Sequence, residues 1–133
     1  MSKSTIYVAN TNAQAVAVGG TIGLGSTVRR FGCAIALTGN TIAIDEVGYY
    51  DVNVSVTAES TAIGNVTVTL LNSGVPIVGA TATEYASVAD TPVNLSFDSV
   101  VRVFCGANAG ALTLVLSGTA SNVTNVAVVV NKL

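Results

Sequence analysis

Strict alternation of apolar and polar residues is the feature that most constrains how this chain folds. The clearest example is the segment 48–59, GYYDVNVSVTAE, in which Tyr50 and Val52 point one way and Tyr49 and Asp51 point the other. A period of two is typical of a β-strand that has one face in a core and the other facing outward. Because similar segments recur at short intervals, the sequence predicts a β-sandwich of eight to ten strands and no helices.

The predicted strands are separated by turn-forming residues. In chain order they cover 5–9, 14–18, 33–37, 41–44, 48–59, 65–71, 75–83, 93–97 with a continuation at 100–105, 112–117 and 122–131. Gly39-Asn40 predicts a two-residue hairpin turn between the strands that end at Thr38 and begin at Thr41. The glycine-rich stretch 19–26 has Ser26 where a phosphate-binding loop needs lysine, so it is interpreted as a linker.

The last strand is apolar on both faces. Val126, Val128 and Val130 alternate with Ala127 and Val129. One apolar face belongs in the sandwich core, and the other also needs a cover because an exposed valine-rich strand promotes aggregation. The pattern therefore predicts a subunit interface on the side of Ala127 and Val129.

The composition argues against most kinds of chemistry. Among 133 residues there is no histidine, only 9% are charged, and the net charge is −2. A nucleophilic serine or cysteine would have no histidine base, and two cysteines are too few for a metal site. Asp45-Glu46 is a carboxylate pair that would suit Ca²⁺, but a solvated turn is favoured. We expect no enzyme activity, no cofactor, no nucleic-acid partner and no membrane partner.

Two groups of residues leave alternatives open at this point. Cys33 and Cys105 are compatible with a disulfide, although two buried free thiols are favoured for a protein made in a cytoplasm. Arg29, Arg30 and Arg102 carry most of the positive charge. They serve either solubility, with partial salt bridges to Asp45, Glu46 or Asp98, or a subunit interface.

Several segments together resemble a known family. The Gly48-Tyr49-Tyr50 start of the long strand, the segment LNSGVPIVG at 71–79 and the apolar C-terminal strand are similar to the tumour-necrosis-factor and complement globular-head superfamily of trimeric jelly rolls. Similar chains include small bacteriophage and prophage proteins and the C-terminal domains of collagen-like exosporium proteins. The resemblance covers roughly residues 30–133. It implies an antiparallel jelly-roll sandwich that forms a tight homotrimer.

The resemblance and the strand pattern together lead to specific expectations. A jelly-roll domain is expected at 31–133, preceded at 1–30 by an attachment segment with a glycine-rich linker. The attachment residues are predicted to be Ile6, Tyr7, Val8, Val16 and Val18. The trimer-interface residues are predicted to be Tyr49, Val115, Ala127 and Val129.

The expected function is structural and not enzymatic. We expect a trimeric surface protein of a virion, such as a bacteriophage head fibre or capsid decoration protein that binds the major capsid protein or another particle component. The alternatives are a receptor- or glycan-binding tip on a phage tail or bacterial surface, and a spore-surface component of the exosporium type.

Overall fold

The computed structural model describes residues 3–103 and 110–133. Within this part the chain forms eleven strands and no helix. They are β1 (Thr5–Asn10), β2 (Gln14–Val16), β3 (Ser26–Phe31), β4 (Ile35–Thr38), β5 (Thr41–Ile44), β6 (Gly48–Ser60), β7 (Gly64–Asn72), β8 (Val75–Ala86), β9 (Pro92–Val103), β10 (Gly110–Ser117) and β11 (Ser121–Lys132).

The strands form two antiparallel sheets that pack face to face. The six-stranded sheet has the order β3-β1-β11-β6-β9, with β2 also paired to β11. The five-stranded sheet has the order β4-β5-β10-β7-β8. The first strand therefore pairs with the last, and the chain crosses repeatedly between the sheets. This arrangement is an antiparallel jelly roll and confirms the predicted fold class.

The core lies between the sheets and follows the period-two pattern. On β6 the side chains of Tyr50, Val52 and Val56 are fully buried, as the alternation predicts. The predicted hairpin is confirmed as well, because Thr38 pairs with Thr41 and Gly39 has a φ of 60°. A positive φ is favourable at this position because glycine has no Cβ.

The N-terminal residues differ from the expected attachment segment. β1 lies inside the six-stranded sheet, between β3 and β11, and Ile6 and Val8 are fully buried in the core. Val16 is also buried. The packing thus has no boundary at residue 30, because β1 supplies a strand that the jelly roll itself uses. The alternation within Thr5–Asn10 is compatible with this position, but it did not indicate which strands would flank β1.

The glycine-rich stretch is packed against the five-stranded sheet, which corrects its interpretation as a linker. The Gly19 and Ile22 amides donate hydrogen bonds to the Leu116 and Leu114 carbonyls at 2.7 and 2.8 Å. Ile22 and Leu24 are buried. The stretch therefore pairs with β10 beyond the end of β5, which pairs with β10 only over residues 110–112.

Cys33 differs from the expectation of a buried thiol. It lies in the connection between β3 and β4, because β4 begins at Ile35 instead of residue 33. Its side chain is exposed and free. Cys105, the other predicted buried thiol, lies outside the described residues.

Candidate interaction face

The side of the six-stranded sheet that faces away from the core is the candidate functional site, and we call it the outer face. Strand register aligns its side chains in rows across the sheet. One row runs from Arg29 through Tyr7, Val129 and Asn53 to Asp98. Along β1, β11, β6 and β9 these side chains alternate with the buried ones, so they point away from the core.

The centre of the outer face is hollow because its side chains are small. Ala127, Ser55 and Ser96 are cross-strand neighbours on β11, β6 and β9. Together with Val129 and Asn53 they line an open depression of about 450 Å³. Ala127 and Val129 are half-buried within a single chain, although their strand is central in the sheet. Asp98 borders the hollow on the β9 side. A shallow surface of small side chains of this kind suits packing by another protein surface.

An aromatic residue lies at one end of this face. Tyr49 is 52% exposed, and the Arg102 guanidinium carbon lies 5.8 Å from the centre of its ring. A cation over an aromatic ring is a favourable contact at this distance. The Tyr49 carbonyl accepts a hydrogen bond of 2.9 Å from the amide of Leu133, so the backbone of β6 holds the end of the chain at this position.

Two carboxyl groups meet on the same face. Asp51 on β6 and Asp98 on β9 are diagonal neighbours, because Asn53 pairs with Asp98 and Asp51 pairs with Val100. The hydrogen bond between the two side chains raises the pKa of Asp51, and partial burial and the negative charge of Asp98 raise it further. The outer face therefore carries two adjacent carboxyl groups on its β6–β9 side, with Arg102 farther along β9 beside Tyr49.

Contacts near the chain end stabilise the position of β11. Lys132 forms a salt bridge with Glu46, and the Lys132 amide donates to the Ser4 carbonyl at 2.9 Å. The Tyr50 hydroxyl donates to the Glu46 carbonyl at 2.7 Å. Glu46 is thus a structural partner of the C-terminal strand, which corrects the interpretation of Asp45-Glu46 as a purely solvated turn.

Three of the four predicted interface residues lie on the outer face. Tyr49, Ala127 and Val129 share it. Val115 does not, because it belongs to β10 in the five-stranded sheet and pairs with Thr21 on the opposite side of the molecule. The alternation of β10 correctly predicts that the Val115 side chain points away from the core. The local pattern does not indicate which of the two sheets contains β10.

The predicted attachment residues divide between the core and the surface. Ile6, Val8 and Val16 are in the core, whereas Val18 is 57% exposed. Tyr7 is half-buried on the outer face, where it pairs with Val129.

Ser96 was not selected from the sequence, and Asp98 was considered only as a salt-bridge partner of an arginine. Strict alternation along β9 could have indicated that they face outward, but their proximity to β6 required the pairing.

The described residues show few other features that suggest chemistry. They contain no group of three or more histidine, cysteine or acidic side chains that could hold a metal ion. None of the described segments is a helix of the length and apolarity needed to cross a membrane.

The fold is shared with several solved structures, although the sequences have diverged widely. Murine APRIL matches with a TM-score of 0.74 and 12% identity over 99% of this chain and 100% of that one. The globular domain of zebrafish complement 1qA protein matches with a TM-score of 0.70 and 9% identity over 97% and 95% of the two chains. The PRD1 vertex protein P5 matches with a TM-score of 0.62 and 11% identity over 98% and 96%.

These matches confirm the jelly roll of the tumour-necrosis-factor and complement-head type. No protein-family model matches the sequence, and no curated protein matches it.

Proposed function

We propose that this chain is a non-enzymatic structural protein that assembles as a homotrimer and decorates the surface of a particle. The observation that carries the proposal is the outer face of the six-stranded sheet. Its centre is the depression around Ala127, which is lined mainly by small side chains and by Val129 and is bordered by Asp98, and Tyr49 lies at one end of the face. A surface of this composition gains stability when a second copy of the chain removes it from water.

A threefold arrangement is supported by the resemblance of the chain to trimeric jelly rolls and by its shared fold with the complement head and APRIL. Closed cyclic symmetry also avoids the open-ended growth that two different contacting surfaces would otherwise produce. The low charge of the chain is compatible with burial of a large part of its surface in such an assembly.

A role on a virion is supported by the match to the PRD1 vertex protein P5. That protein shares the jelly roll, and its name describes it as a vertex protein. For the present chain we propose a head fibre or capsid decoration protein that contacts the major capsid protein or another particle component. The attachment surface would include exposed N-terminal residues such as Val18.

A receptor- or glycan-binding role is the second candidate, and Tyr85 favours it. Tyr85 on β8 is 59% exposed and pairs across the sheet with Asn65. The adjacent Thr67 and Thr83 hydroxyls are hydrogen-bonded to each other at 2.8 Å. An exposed aromatic ring beside amide and hydroxyl groups can stack on a sugar while hydrogen-bonding its hydroxyls.

Native mass spectrometry of the purified chain tests the trimer directly. The expected species has three times the chain mass of 13.3 kDa. Ala127→Arg should convert it to a monomer, because the long charged side chain fills the depression, while Ala111→Arg on the five-stranded sheet should not. A wild-type chain that remains monomeric at high micromolar concentration would contradict the proposal.

The particle role needs a separate measurement. Phage particles induced from the organism that encodes the chain should contain it when purified particles are analysed by mass spectrometry. Its absence from particles, combined with specific binding of the purified trimer on a glycan array that is lost in Tyr85→Ala, would favour the second candidate.

A further inference from the structure

Charged side chains lie at both margins of the outer face, and Arg102 on β9 is on the same margin as the two carboxyl groups described above. Arg29 lies on β3, the edge strand at one side, and all six residues of β3 are exposed. Asp51 and Asp98 lie on β6 and β9 at the other side. Arg29 and Asp98 even belong to the same cross-strand row, with Tyr7, Val129 and Asn53 between them.

These opposite charges are too far apart to meet within one chain. Four strand-to-strand steps separate β3 from β9, which corresponds to about 19 Å at a spacing of about 4.8 Å. An arginine side chain is far shorter than this distance. In the single chain the Arg29 Nη1 donates to the carbonyl of its own neighbour, Val28, at 3.0 Å.

The two carboxylates are a site of unfavourable charge that a cation would relieve. Their mutual contact raises the pKa of Asp51, which means that ionisation of both groups is costly at this position. A guanidinium group is the side chain best matched to two adjacent carboxylates, because its planar donors can bind both of them.

We propose that Arg29 of one copy binds the Asp51–Asp98 pair of the next copy, and that this contact sets the register of the trimer. The inference rests on the proposed assembly through the outer face, and it names the residues that align one copy with the next. Each copy then offers Arg29 at one margin and the carboxylates at the other. Because the two surfaces differ, repeating the contact around a threefold axis closes a ring. The hollow around Ala127 supplies contact area, and the ion pairs select one alignment.

Charge-reversal variants test the pairing. Arg29→Asp alone and Asp98→Arg alone should each raise the concentration for half-assembly about tenfold or more in analytical ultracentrifugation, because like charges would then face each other in a buried contact. The double variant R29D/D98R should recover most of the assembly. Both positions are exposed, and circular dichroism checks that each variant is folded.

Arg30→Asp is the matched control. It makes the same charge change on the same strand, but Arg30 pairs with the inward-facing Ile6 and its Nε donates to the Ile35 carbonyl at 2.8 Å, away from the outer face. This variant should keep the wild-type assembly.

The outcomes separate this inference from the trimer itself. A wild-type trimer that is unaffected by both single variants would overturn the pairing and leave the proposed assembly standing. Loss of assembly in both single variants without recovery in the double variant would also overturn the pairing, because the two residues would then act independently. A wild-type chain that never associates would overturn the pairing and the trimer together.

Discussion

Replacing Ile6 by alanine distinguishes a structural role of the N-terminal residues from an attachment role. Ile6 is fully buried on β1, which lies between two strands of the six-stranded sheet. The change removes three carbon groups from the core, worth about 2.4 kcal/mol of transfer free energy at about 0.8 kcal/mol each. The cavity that remains brings the expected loss of stability to about 3–4 kcal/mol.

Urea unfolding followed by circular dichroism measures this loss. With a slope of about 2 kcal/mol per molar, the midpoint should fall by about 1.5–2 M urea. All samples need the same chain concentration, because association stabilises the folded state by mass action. Val18→Ala is the control, since Val18 is in the same N-terminal segment but 57% exposed, and it should change stability by less than about 0.5 kcal/mol.

An equal, small effect of the two variants would refute the reasoning. Residues 1–30 would then be dispensable for folding, as an independent attachment segment is. A large effect at Ile6 alone would establish that β1 is part of the jelly-roll domain.

Three further predictions concern single positions. Ser99→Ala should stabilise the protein by up to about 1–3 kcal/mol in the same urea assay. The reason is that the buried Ser99 hydroxyl has no hydrogen-bond partner among the described residues. A loss of stability would indicate that the hydroxyl has a partner. Gly118→Ala should destabilise it, because φ is 86° and a Cβ would lie 2.3 Å from the Asn65 carbonyl oxygen; an unchanged midpoint would contradict this backbone geometry. Burial, with smaller contributions from the negative charges of Glu46 and Asp45, raises the pKa of Tyr50. Its contribution to stability is therefore complete below the ordinary tyrosine pKa of about 10 and lost as the pH rises through the higher folded value. The difference in 295 nm absorbance between the wild type and Tyr50→Phe should show this late ionisation, and a Tyr50 signal at or below pH 10 would exclude it.

The local pattern was sufficient to predict most strands and the direction of their side chains. Tyr50 in the core, Tyr49 on the surface, and Ala127 and Val129 on the second face of β11 all follow from a period of two. Such predictions succeed because adjacent side chains of a strand must point to opposite sides of the sheet. The hairpin at Gly39 was also predictable, because a two-residue turn needs residues that tolerate a positive φ.

Pairing between distant strands was decided only by the tertiary structure. Val115 and Val129 have equivalent local patterns, yet they lie on different sheets. Ile6 and Ile22 precede the segment with the family resemblance, yet both are in the core. Arg29 and Asp98 lie in the same cross-strand row only because four successive strand pairings align them. The sequence alone determined which residues of each strand face the same way. The choice of neighbouring strands depends on non-local hydrogen bonds and on packing between the sheets, which no local period records.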